Sequence, residues 1–462
     1  MNLYSLLAKR HALGRPIKVG LIGAGKFGSM HLAQVPRMNG YSVACVADLD
    51  VSKANAALRR VGWPKDRYSA SSVSEACREG KTFVSDDPAC IFQCEEIDCV
   101  IEATGDPLGG ASHALAAIES GKHVVMVNVE ADALCGPWLA ARARDRNLVY
   151  SMAYGDQPAI ICEMIDWARA CGFDLTAAGK GMKFEPHYRY STPETVWKYY
   201  GWSEREVAEG DFNPKLFNSF TDGTKSAIEM VAVSNASGLD CPENGLEFPP
   251  SGARDLANVF RPASDGGRLE RSGLVEIASS QSHSGVELVD HLRFGVFVTF
   301  RAHNDYARDC FRQYGLLIDD SGWYASMWRP FHLIGLEVGI SSLSAVLRGE
   351  ATGSPLDFRS DAIAVAKTDL ASGTRLDGEG GYTVWGRAVP AEKSLALDAL
   401  PIGLAHNARL KNPVGRDCVV RHSDVELGRD SDAIRLRKEM VASKKALASG
   451  PIAGRGFKNG EW

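Results

Sequence analysis

The sequence predicts an α/β protein with a doubly wound parallel sheet, followed by a mixed α+β domain and a small all-β module. Three observations lead to this prediction. Apolar runs alternate with helix-length segments up to about residue 155. A long helical stretch and alternating runs follow, and short polar turns replace them from about residue 351. Because 462 residues exceed one ordinary core, we divide the chain into domains at 1–155, 156–350 and 351–435, with a tail over 436–462.

The first domain opens with a short amphipathic helix over residues 3–13. Apolar runs that end in glycine or a polar turn are typical of buried parallel strands. Four segments have this pattern: Ile17–Ile22, Ser42–Ala47, Cys99–Ala103 and His123–Val127. With helices between them and right-handed crossovers, they predict a Rossmann-type sheet.

A glycine motif follows the first strand, because residues 23–28 read GAGKFG and match G-x-G-x-x-G. The first glycine permits a tight turn, the second lets the backbone approach a pyrophosphate, and the third lets helix and strand pack closely. The alternative is an ordinary glycine-rich turn. In this context the motif predicts a nicotinamide dinucleotide site at Gly23, Gly25, Lys26, Phe27 and Gly28.

Asp48 ends the second strand, where an acid that binds the ribose hydroxyls of NAD is expected. A carboxylate there repels a 2′-phosphate unless a cation such as Lys53 compensates, so this residue by itself favours NAD over NADP. Thr104, Gly105 and Asn128 follow later strands, whose carboxyl ends face the ligand crevice. They are further cofactor candidates, with plain turns as the alternative.

In the middle domain, the pattern predicts helices at Pro158–Cys171, 224–235 and Phe331–Leu347, and strands within 174–178, Gly285–Arg301 and Tyr314–Ile318. Lys180 and Lys183 follow the 174–178 segment, and glycines beside them allow a ligand to come close. Lysines at a cleft polarise carbonyl oxygens. His187 and Arg189 add two more groups that can be cationic. The alternative is a basic loop in solvent.

A second polar group spans Asp222 to Glu229. Helical spacing places Asp222, Lys225 or Ser226, and Glu229 on one face. The alternative is that Asp222 only caps the helix and that Lys225 and Glu229 form a surface pair. Beyond residue 355, turn and strand repeats predict the β module, and from Ser443 a Lys/Gly-rich end predicts a frayed tail.

Composition limits the class of protein. The formal net charge of −5 is spread over both signs, so there is no basic stripe for nucleic acid. No apolar run is long enough for a membrane helix, and the first residues do not resemble a signal peptide. Eleven scattered cysteines favour reduced thiols and a cytoplasmic location. A metal site at Cys90, Cys94 and Cys99 is disfavoured, because the spacing is not that of a zinc site.

Six segments carry a resemblance to a known family: GAGKFGSM, IEATGDP, AAGKGMKFEP, SFTDGTKSAIEM, WRPFHLIGLE and AKTDLASGTRLDGEGGYTVWG. They resemble the 1-deoxy-D-xylulose 5-phosphate reductoisomerase-like proteins, which are similar to homoserine dehydrogenase in their nucleotide-binding part and end in a SAF-type β domain. The resemblance covers roughly residues 1–430. It implies a homodimeric, NADPH-dependent enzyme that makes 2-C-methyl-D-erythritol 4-phosphate for isoprenoid biosynthesis.

This activity needs proton transfer, a cation for a developing oxyanion and a phosphate clamp. The candidates for the cationic roles are Lys180, Lys183 and Lys225. Asp222 or Glu229 would transfer protons or bind a metal, for which Mg²⁺ is a candidate although no spacing defines its site. His187 or Arg189 would hold the phosphate.

Three classes of function stay open at this point. The chain is a reductoisomerase or a dehydrogenase of another phosphorylated sugar or polyol, a homoserine-dehydrogenase-like enzyme acting on a semialdehyde, or a non-catalytic dinucleotide sensor. The basic 180–189 segment favours a small anionic substrate over a semialdehyde. The two polar groups in the middle domain, at residues 180–189 and 222–229, disfavour the non-catalytic sensor. Similarity of fold does not decide among these activities.

Overall fold

The computed structural model describes residues 2–209, 212–428 and 430–449. It contains a six-stranded parallel sheet, a five-stranded mixed sheet and two small antiparallel pairs. The predicted α/β class with a doubly wound Rossmann-type sheet is therefore confirmed. No helix within the described ranges is both long and apolar enough to cross a lipid bilayer.

The parallel sheet consists of β1 (Ile17–Ile22), β2 (Tyr41–Ala47), β3 (Phe83–Ser85), β4 (Cys99–Glu102), β5 (His123–Met126) and β6 (Tyr150–Met152). In space the strands follow the order β3-β2-β1-β4-β5-β6. Strand order therefore reverses between β1 and β4. In such sheets the ligand crevice lies outside the carboxyl ends of the strands at this reversal.

Seven helices accompany this sheet: α1 (Leu3–Ala12), α2 (Lys26–Gln34), α3 (Val51–Arg60), α4 (Val73–Glu79), α5 (Ala89–Phe92), α6 (Pro107–Glu119) and α7 (Val129–Arg144). The predicted helix at the start of the chain corresponds to α1. Asp106 and Asn128 begin α6 and α7, since each side chain accepts hydrogen bonds from backbone N–H groups of the first turn.

The mixed sheet contains β7 (Asp174–Met182), β8 (Leu274–Ser279), β9 (Val296–Arg301), β10 (Leu317–Ile318) and β11 (Tyr324–Arg329), in the order β10-β11-β9-β7-β8. Only β7 and β8 pair in parallel. The helices of this part are α8 (Gln157–Ala170), α9 (Val196–Tyr200), α10 (Glu204–Glu209), α11 (Pro214–Thr221), α12 (Thr224–Ser237), α13 (Leu256–Val259), α14 (Asp305–Gln313) and α15 (Gly339–Arg348).

Two predictions for the middle domain were wrong in extent. The helix expected from Phe331 begins only at Gly339, because residues 331–338 form a loop against α2. Gly335 lies in this loop with a positive φ of 80°, and a Cβ there would press on the Phe27 carbonyl. The strand expected from Gly285 begins only at Val296, since the preceding residues form turns.

The C-terminal part contains the antiparallel pairs β12 (Ser360–Ala366) with β13 (Val384–Pro390) and β14 (Arg409–Leu410) with β15 (Val425–Glu426), and the helices α16 (Ala391–Ala396) and α17 (Asp432–Ser449). The predicted tail was wrong over 436–449, which belongs to α17. This helix packs on α6 and α7, and its Arg437 forms a buried ion pair with Asp361 of β12. Residues 450–462 of that prediction lie outside the described residues.

Helix α12 joins the three parts of the molecule. It packs against α7 of the first sheet domain, α8 and β8 of the middle part, and β12 and β13 of the C-terminal part. Its residues are buried along almost its whole length. Polar residues on α12 therefore have their partners inside the protein rather than in solvent.

Candidate active site

The glycine loop after β1 has room for a ligand at one position only. A Cβ on Gly23, whose φ is 97°, would collide with Ala103, and a Cβ on Gly28 would collide with the carbonyl oxygen of Gly23. A Cβ on Gly25 would meet no heavy atom within 4 Å. Lys26 and Phe27 then begin α2. The first and third glycines thus serve chain packing, and the open face at Gly25 suits a pyrophosphate.

Asp48 lies beside this loop at the end of β2. Its Oδ2 accepts a hydrogen bond from the Ala24 N–H at 2.8 Å, and its Oδ1 accepts one from the Asp50 N–H at 3.0 Å. Among the described residues no lysine or arginine forms an ion pair with Asp48. Screening of Asp48 by Lys53, which would favour a 2′-phosphate, therefore has no support in the geometry.

Thr104 and Asn128 hold the crevice wall after β4 and β5. The Thr104 hydroxyl donates to the buried Glu102 at 2.6 Å. Asn128 donates to the Asp106 carbonyl at 2.8 Å while its amide oxygen caps α7. Gly105 between these strands has a positive φ of 74° and open space at its Cβ position. These residues border the predicted cofactor site, and their side chains also shape its loops.

A buried cluster of charged residues lies at the same edge of the parallel sheet. Glu130 and Asp156 follow the carboxyl ends of β5 and β6, in the first turn of α7 and at the start of α8. Lys225 in the first turn of α12 forms an ion pair with Glu130. All three are buried. Three helix N-termini thus meet here, and their partial positive charges stabilise acidic side chains.

Lys180 enters this cluster from β7. It forms a buried ion pair with Glu229 of α12. The sequence placed Lys180 after a strand, but it lies inside β7, where it pairs with Ile277 and Val296. The neighbouring glycines were expected to admit a ligand. They instead admit protein backbone, since a Cβ on Gly179 or Gly181 would collide with a carbonyl oxygen of the next segment.

Two carboxyl groups in the cluster, those of Asp156 and Glu379, have raised pKa values. Burial, together with the negative charge of Glu229, raises the pKa of Asp156 to about 7. Burial and the charge of Glu130 raise the pKa of Glu379 to about 8, against the opposing effect of Lys225. Near neutral pH both groups exchange protons readily, as acid–base residues must.

Lys225 behaves in the opposite way. Burial alone would lower its pKa, but the negative charges of Glu130, Glu379 and Glu229 outweigh burial and raise the pKa above its usual value. Lys225 therefore carries its charge throughout the physiological range. The alternative interpretation of Lys225 and Glu229 as a surface pair is wrong, because both are buried and each has a partner on another element.

Asp222 lies before the first residue of α12, so it is not on the helix face that the spacing predicted. Its carboxylate lies 2.7 Å from the ammonium group of Lys367, and it also accepts a hydrogen bond from the Thr224 N–H at 2.9 Å. Lys367 in turn donates to the carbonyls of Ser191 and Gly381. Asp222 thus caps the start of α12 and ties it to the C-terminal part.

Glu379 is brought to the cluster by the C-terminal part. It follows Gly378, and its carboxyl group lies close enough to Ser219 for that hydroxyl to lower its pKa. The next residue, Gly380, packs so closely on α11 that a Cβ would collide with the Lys215 carbonyl. The side-chain amide of Asn218 donates a hydrogen bond to the carbonyl oxygen of Gly380 at 2.9 Å. The 376–383 loop is therefore seated firmly beside the site.

The rest of the predicted basic group does not enter the cluster. Lys183 is half-buried, donates to the Tyr199 carbonyl at 2.7 Å, and has a pKa lowered by burial and by Arg293. His187 is exposed beside Glu185. Arg189 lies against Trp385, with its guanidinium carbon 5.0 Å from the ring centroid. These three residues thus have their contacts outside the charged cluster, and Lys183 and His187 both lie beside Tyr199.

The 331–338 loop connects the cofactor loop with the cluster. Gly335 packs on α2, and the Nδ1–H of His332 donates a hydrogen bond to the Phe294 carbonyl oxygen at 2.8 Å. Burial lowers the pKa of His332, and the charges of Lys180 and Glu229 act on it. His332 is therefore a neighbour of the Lys180–Glu229 pair.

Several cluster members were missed by sequence reasoning: Glu130, Asp156, His332, Lys367 and Glu379. Glu130 and Asp156 had a usable signal, because both follow predicted or observed strand ends of the first domain. Glu379 lies in one of the six segments that carry the family resemblance, but nothing local to that segment indicates that its loop reaches the cluster. No group of three or more His, Cys, Asp or Glu within the described ranges is arranged to hold a metal ion. Glu130 and Glu229 are each paired with a lysine.

Two family models match the chain. Residues 17–126 match the oxidoreductase family with an NAD-binding Rossmann fold, GFO/IDH/MocA. Residues 155–338 match the catalytic domain of oxidoreductase DRL. A search of curated proteins found no significant match.

Solved structures give distant likenesses. The 3-ketoreductase KijD10 from Actinomadura kijaniata with NADP is 18% identical over 37% of this chain and 50% of its own, with a TM-score of 0.24. A probable dehydrogenase from Thermotoga maritima is 11% identical over 72% and 90%, with a TM-score of 0.36. A levoglucosan dehydrogenase with NADH is 20% identical over 38% and 47%, with a TM-score of 0.25. The aligned region spans only half of the ketoreductase, and similarities this low do not define an activity.

The glycine loop fits the dinucleotide that its family model implies, because the face at Gly25 is open and Asp48 lies beside it. Four members of the charged cluster, Asp156, Lys180, Lys225 and Glu229, fall in the segment that the catalytic-domain model covers, at the edge of the same sheet. The chain is an NAD(P)-dependent oxidoreductase, in which residues 17–126 are similar to the GFO/IDH/MocA Rossmann family and residues 155–338 are similar to the catalytic domain of oxidoreductase DRL.

Proposed function

We propose that this oxidoreductase reduces the carbonyl group of a phosphorylated sugar, and oxidises the alcohol group of the corresponding phosphorylated sugar or polyol in the reverse direction. One observation carries the proposal. Two buried Lys–Glu pairs lie beside Asp156 at the carboxyl edge of the cofactor-binding sheet. Buried ammonium groups there stabilise a developing alkoxide far better than they would in water.

The proton path follows from the positions of the charged groups. When bound, the reduced nicotinamide supplies the hydride that reaches the carbonyl carbon. The ammonium Nζ of Lys180 or Lys225 polarises the carbonyl oxygen and donates a proton to the alkoxide as it forms. The carboxyl group of Asp156 then returns a proton to the lysine. One proton is consumed for each carbonyl reduced, and solvent replaces it through Asp156 or Glu379.

We assign the catalytic roles to Lys180, Lys225 and Asp156, and positioning roles to Glu229 and Glu130. Glu229 and Glu130 fix the two ammonium groups and keep them charged. Asp222 is a positioning residue, because it acts on the start of α12 through Thr224 and Lys367. Lys183 and His187 have no role in this scheme, since neither reaches the cluster.

For the cofactor, we propose a preference for NAD over NADP. Both oxygens of Asp48 are engaged by backbone N–H groups beside the glycine loop, which keeps the carboxylate at the adenosine side of the crevice. The negative charge there opposes a 2′-phosphate. This differs from the NADPH use that the reductoisomerase resemblance implies.

A second candidate is the reductoisomerase reaction on 1-deoxy-D-xylulose 5-phosphate. It is favoured by the way AAGKGMKFEP and SFTDGTKSAIEM meet, because they supply Lys180 and the pair Lys225 and Glu229 to one cluster. Rearrangement needs a proton acceptor for a hydroxyl as well as a cation for an enolate oxygen. The cluster supplies both the proton acceptor and the cation. It combines two lysines with the acidic side chains of Glu130, Asp156, Glu229 and Glu379.

The experiment is a screen of NADH and NADPH oxidation, followed at 340 nm, with phosphorylated ketoses and aldoses, their unphosphorylated analogues and aspartate semialdehyde. NMR of the product separates a simple polyol from a rearranged carbon skeleton. Reduction of phosphorylated substrates, lost in Lys180→Met, supports the proposal. Preference for the semialdehyde, or cofactor binding without any turnover, contradicts it.

A further inference from the structure

A small cavity lies at the junction between α12 and the C-terminal part. Its volume is about 140 Å³, and its walls include Gly223 at the start of α12, Arg189, and Trp385 and Arg387 of β13. Asp222 also lines the cavity, and its charge acts on Glu379 of the charged cluster, so the cavity and the cluster are neighbours. Trp385 and Arg387 belong to a part of the chain that neither family model covers.

Two arginines in this cavity share one aromatic side chain. The guanidinium carbons of Arg189 and Arg387 each lie 5.0 Å from the Trp385 ring centroid. Burial lowers the pKa of both arginines, and the charge of Arg387 lowers that of Arg189 further. Guanidinium groups nevertheless stay charged in proteins. Two positive charges are thus held together in a partly dry place.

Neither arginine has an acidic partner in the described part of the chain. Asp417 acts on both from a distance, but it is hydrogen-bonded to Tyr190 at 2.8 Å. Asp222 also lines the cavity, but its charge is matched by Lys367. An unmatched pair of half-buried cations is costly without an anion.

Unused hydrogen-bond donors point to the same conclusion. The Trp385 side chain lines the cavity, the residue is only 5% exposed, and its indole N–H has no partner. The Nε–H of Arg189 is also buried without a partner. Buried donors are rarely left unsatisfied in native proteins unless a ligand or water completes them.

We propose that Arg189, Arg387 and Trp385 form a phosphoryl-binding site that holds the phosphate of the substrate. Two guanidinium groups favour a dianion, and their planar N–H pairs match phosphate oxygens. The indole N–H supplies one more donor. The identification of the ligand as the substrate rests on the proposed function, whereas the affinity for phosphate does not. The C-terminal part would then determine which substrates the catalytic domain accepts.

The test is a titration of the full chain with inorganic phosphate, followed by calorimetry and by the indole ¹⁵N–¹H resonances. One indole resonance should shift, and it should be absent from Trp385→Phe. Arg189→Met and Arg387→Met should each weaken phosphate binding roughly tenfold or more, the scale of a lost charged hydrogen bond. Arg375→Met removes an exposed arginine of the same part and serves as the control.

Equal phosphate affinity in the parent and both cavity variants would overturn the site, whatever the enzyme does. If phosphate binds as expected, kinetics decide the ligand. Inhibition by phosphate that is competitive with the phosphorylated substrate supports the assignment, and non-competitive inhibition contradicts it. If the screen finds no turnover at all, the proposed function fails while the titration still decides the phosphate site.

Discussion

Lys225 in the first turn of α12 and Glu130 in the first turn of α7 form a buried ion pair that joins the catalytic segment to the cofactor-binding sheet. Each residue lies near the N-terminal end of its helix. A charged residue that loses its partner at such a place stays buried without compensation. The pair therefore couples the stability of the domain junction to the chemistry of the site.

The first prediction concerns this pair. Lys225→Met or Glu130→Gln should lower the free energy of unfolding by about 3–5 kcal/mol. Each substitution removes one charge of the pair and leaves the other charge buried without its partner. The double variant should recover much of that loss. Urea unfolding measures it, with the exposed pair Arg205 and Glu209 as the control, where Arg205→Met should change little. Additive losses in the double variant would contradict a direct interaction.

The second prediction separates the lysines. Lys180→Met should lower kcat and kcat/KM together by roughly 10²–10³, the scale of one lost oxyanion donor. Cofactor affinity should survive. Lys183→Met should leave activity within a few-fold of the parent, since Lys183 donates only to the Tyr199 carbonyl. Equal losses of activity in Lys180→Met and Lys183→Met would indicate that both lysines act in one site and would contradict the assignment of Lys180 alone.

The third prediction concerns the glycine loop. Gly25→Ala should weaken binding of both nicotinamide cofactors while leaving the thermal midpoint unchanged, because its Cβ would occupy only open space. Gly28→Ala should lower the midpoint, because its Cβ would collide with the Gly23 carbonyl. Calorimetric titration and thermal unfolding of the two variants make the comparison. Unchanged cofactor affinity in Gly25→Ala would place the pyrophosphate elsewhere.

The fourth prediction concerns the choice of cofactor. Asp48→Ala should raise the ratio of kcat/KM for NADPH to that for NADH, because it removes the charge that opposes a 2′-phosphate. Asp48→Asn removes the charge but keeps one oxygen that accepts a backbone N–H. It therefore distinguishes the effect of the charge from the effect of a disturbed loop. A ratio that stays the same in both variants would remove Asp48 from the ribose pocket.

The fifth prediction concerns pH. Burial raises the pKa of Asp156 to about 7, so the folded protein binds this proton more tightly than the unfolded chain does. Its contribution to stability is complete below about pH 4, the pKa in the unfolded chain, and is lost as pH rises towards 7.

Asp156→Asn keeps the helix cap but cannot titrate. The free energy of unfolding of the parent, relative to this variant, should therefore fall between about pH 4 and pH 7, by at most about 1.4 kcal/mol per pH unit. Urea unfolding across this range measures the difference. Parallel pH profiles of the parent and the variant would show that Asp156 does not titrate in this window.

The sequence was sufficient for the local features of the first domain. The strand at Ile17–Ile22, the glycine loop and Asp48 are encoded within short segments, because strand pattern and turn geometry depend on neighbouring residues. The same holds for Lys225 and Glu229, whose helical spacing was predicted correctly.

Partners and burial depend instead on packing between distant segments. Lys225 meets Glu130 across 95 residues of sequence, Lys180 meets Glu229 across 49, and Asp222 meets Lys367 of the C-terminal part. Glu379 and Arg387 approach the site only because α12 packs on both other parts of the molecule. Which charges are neutralised, and which arginines are left for an anion, follows from those long-range contacts and has no signature in any single segment.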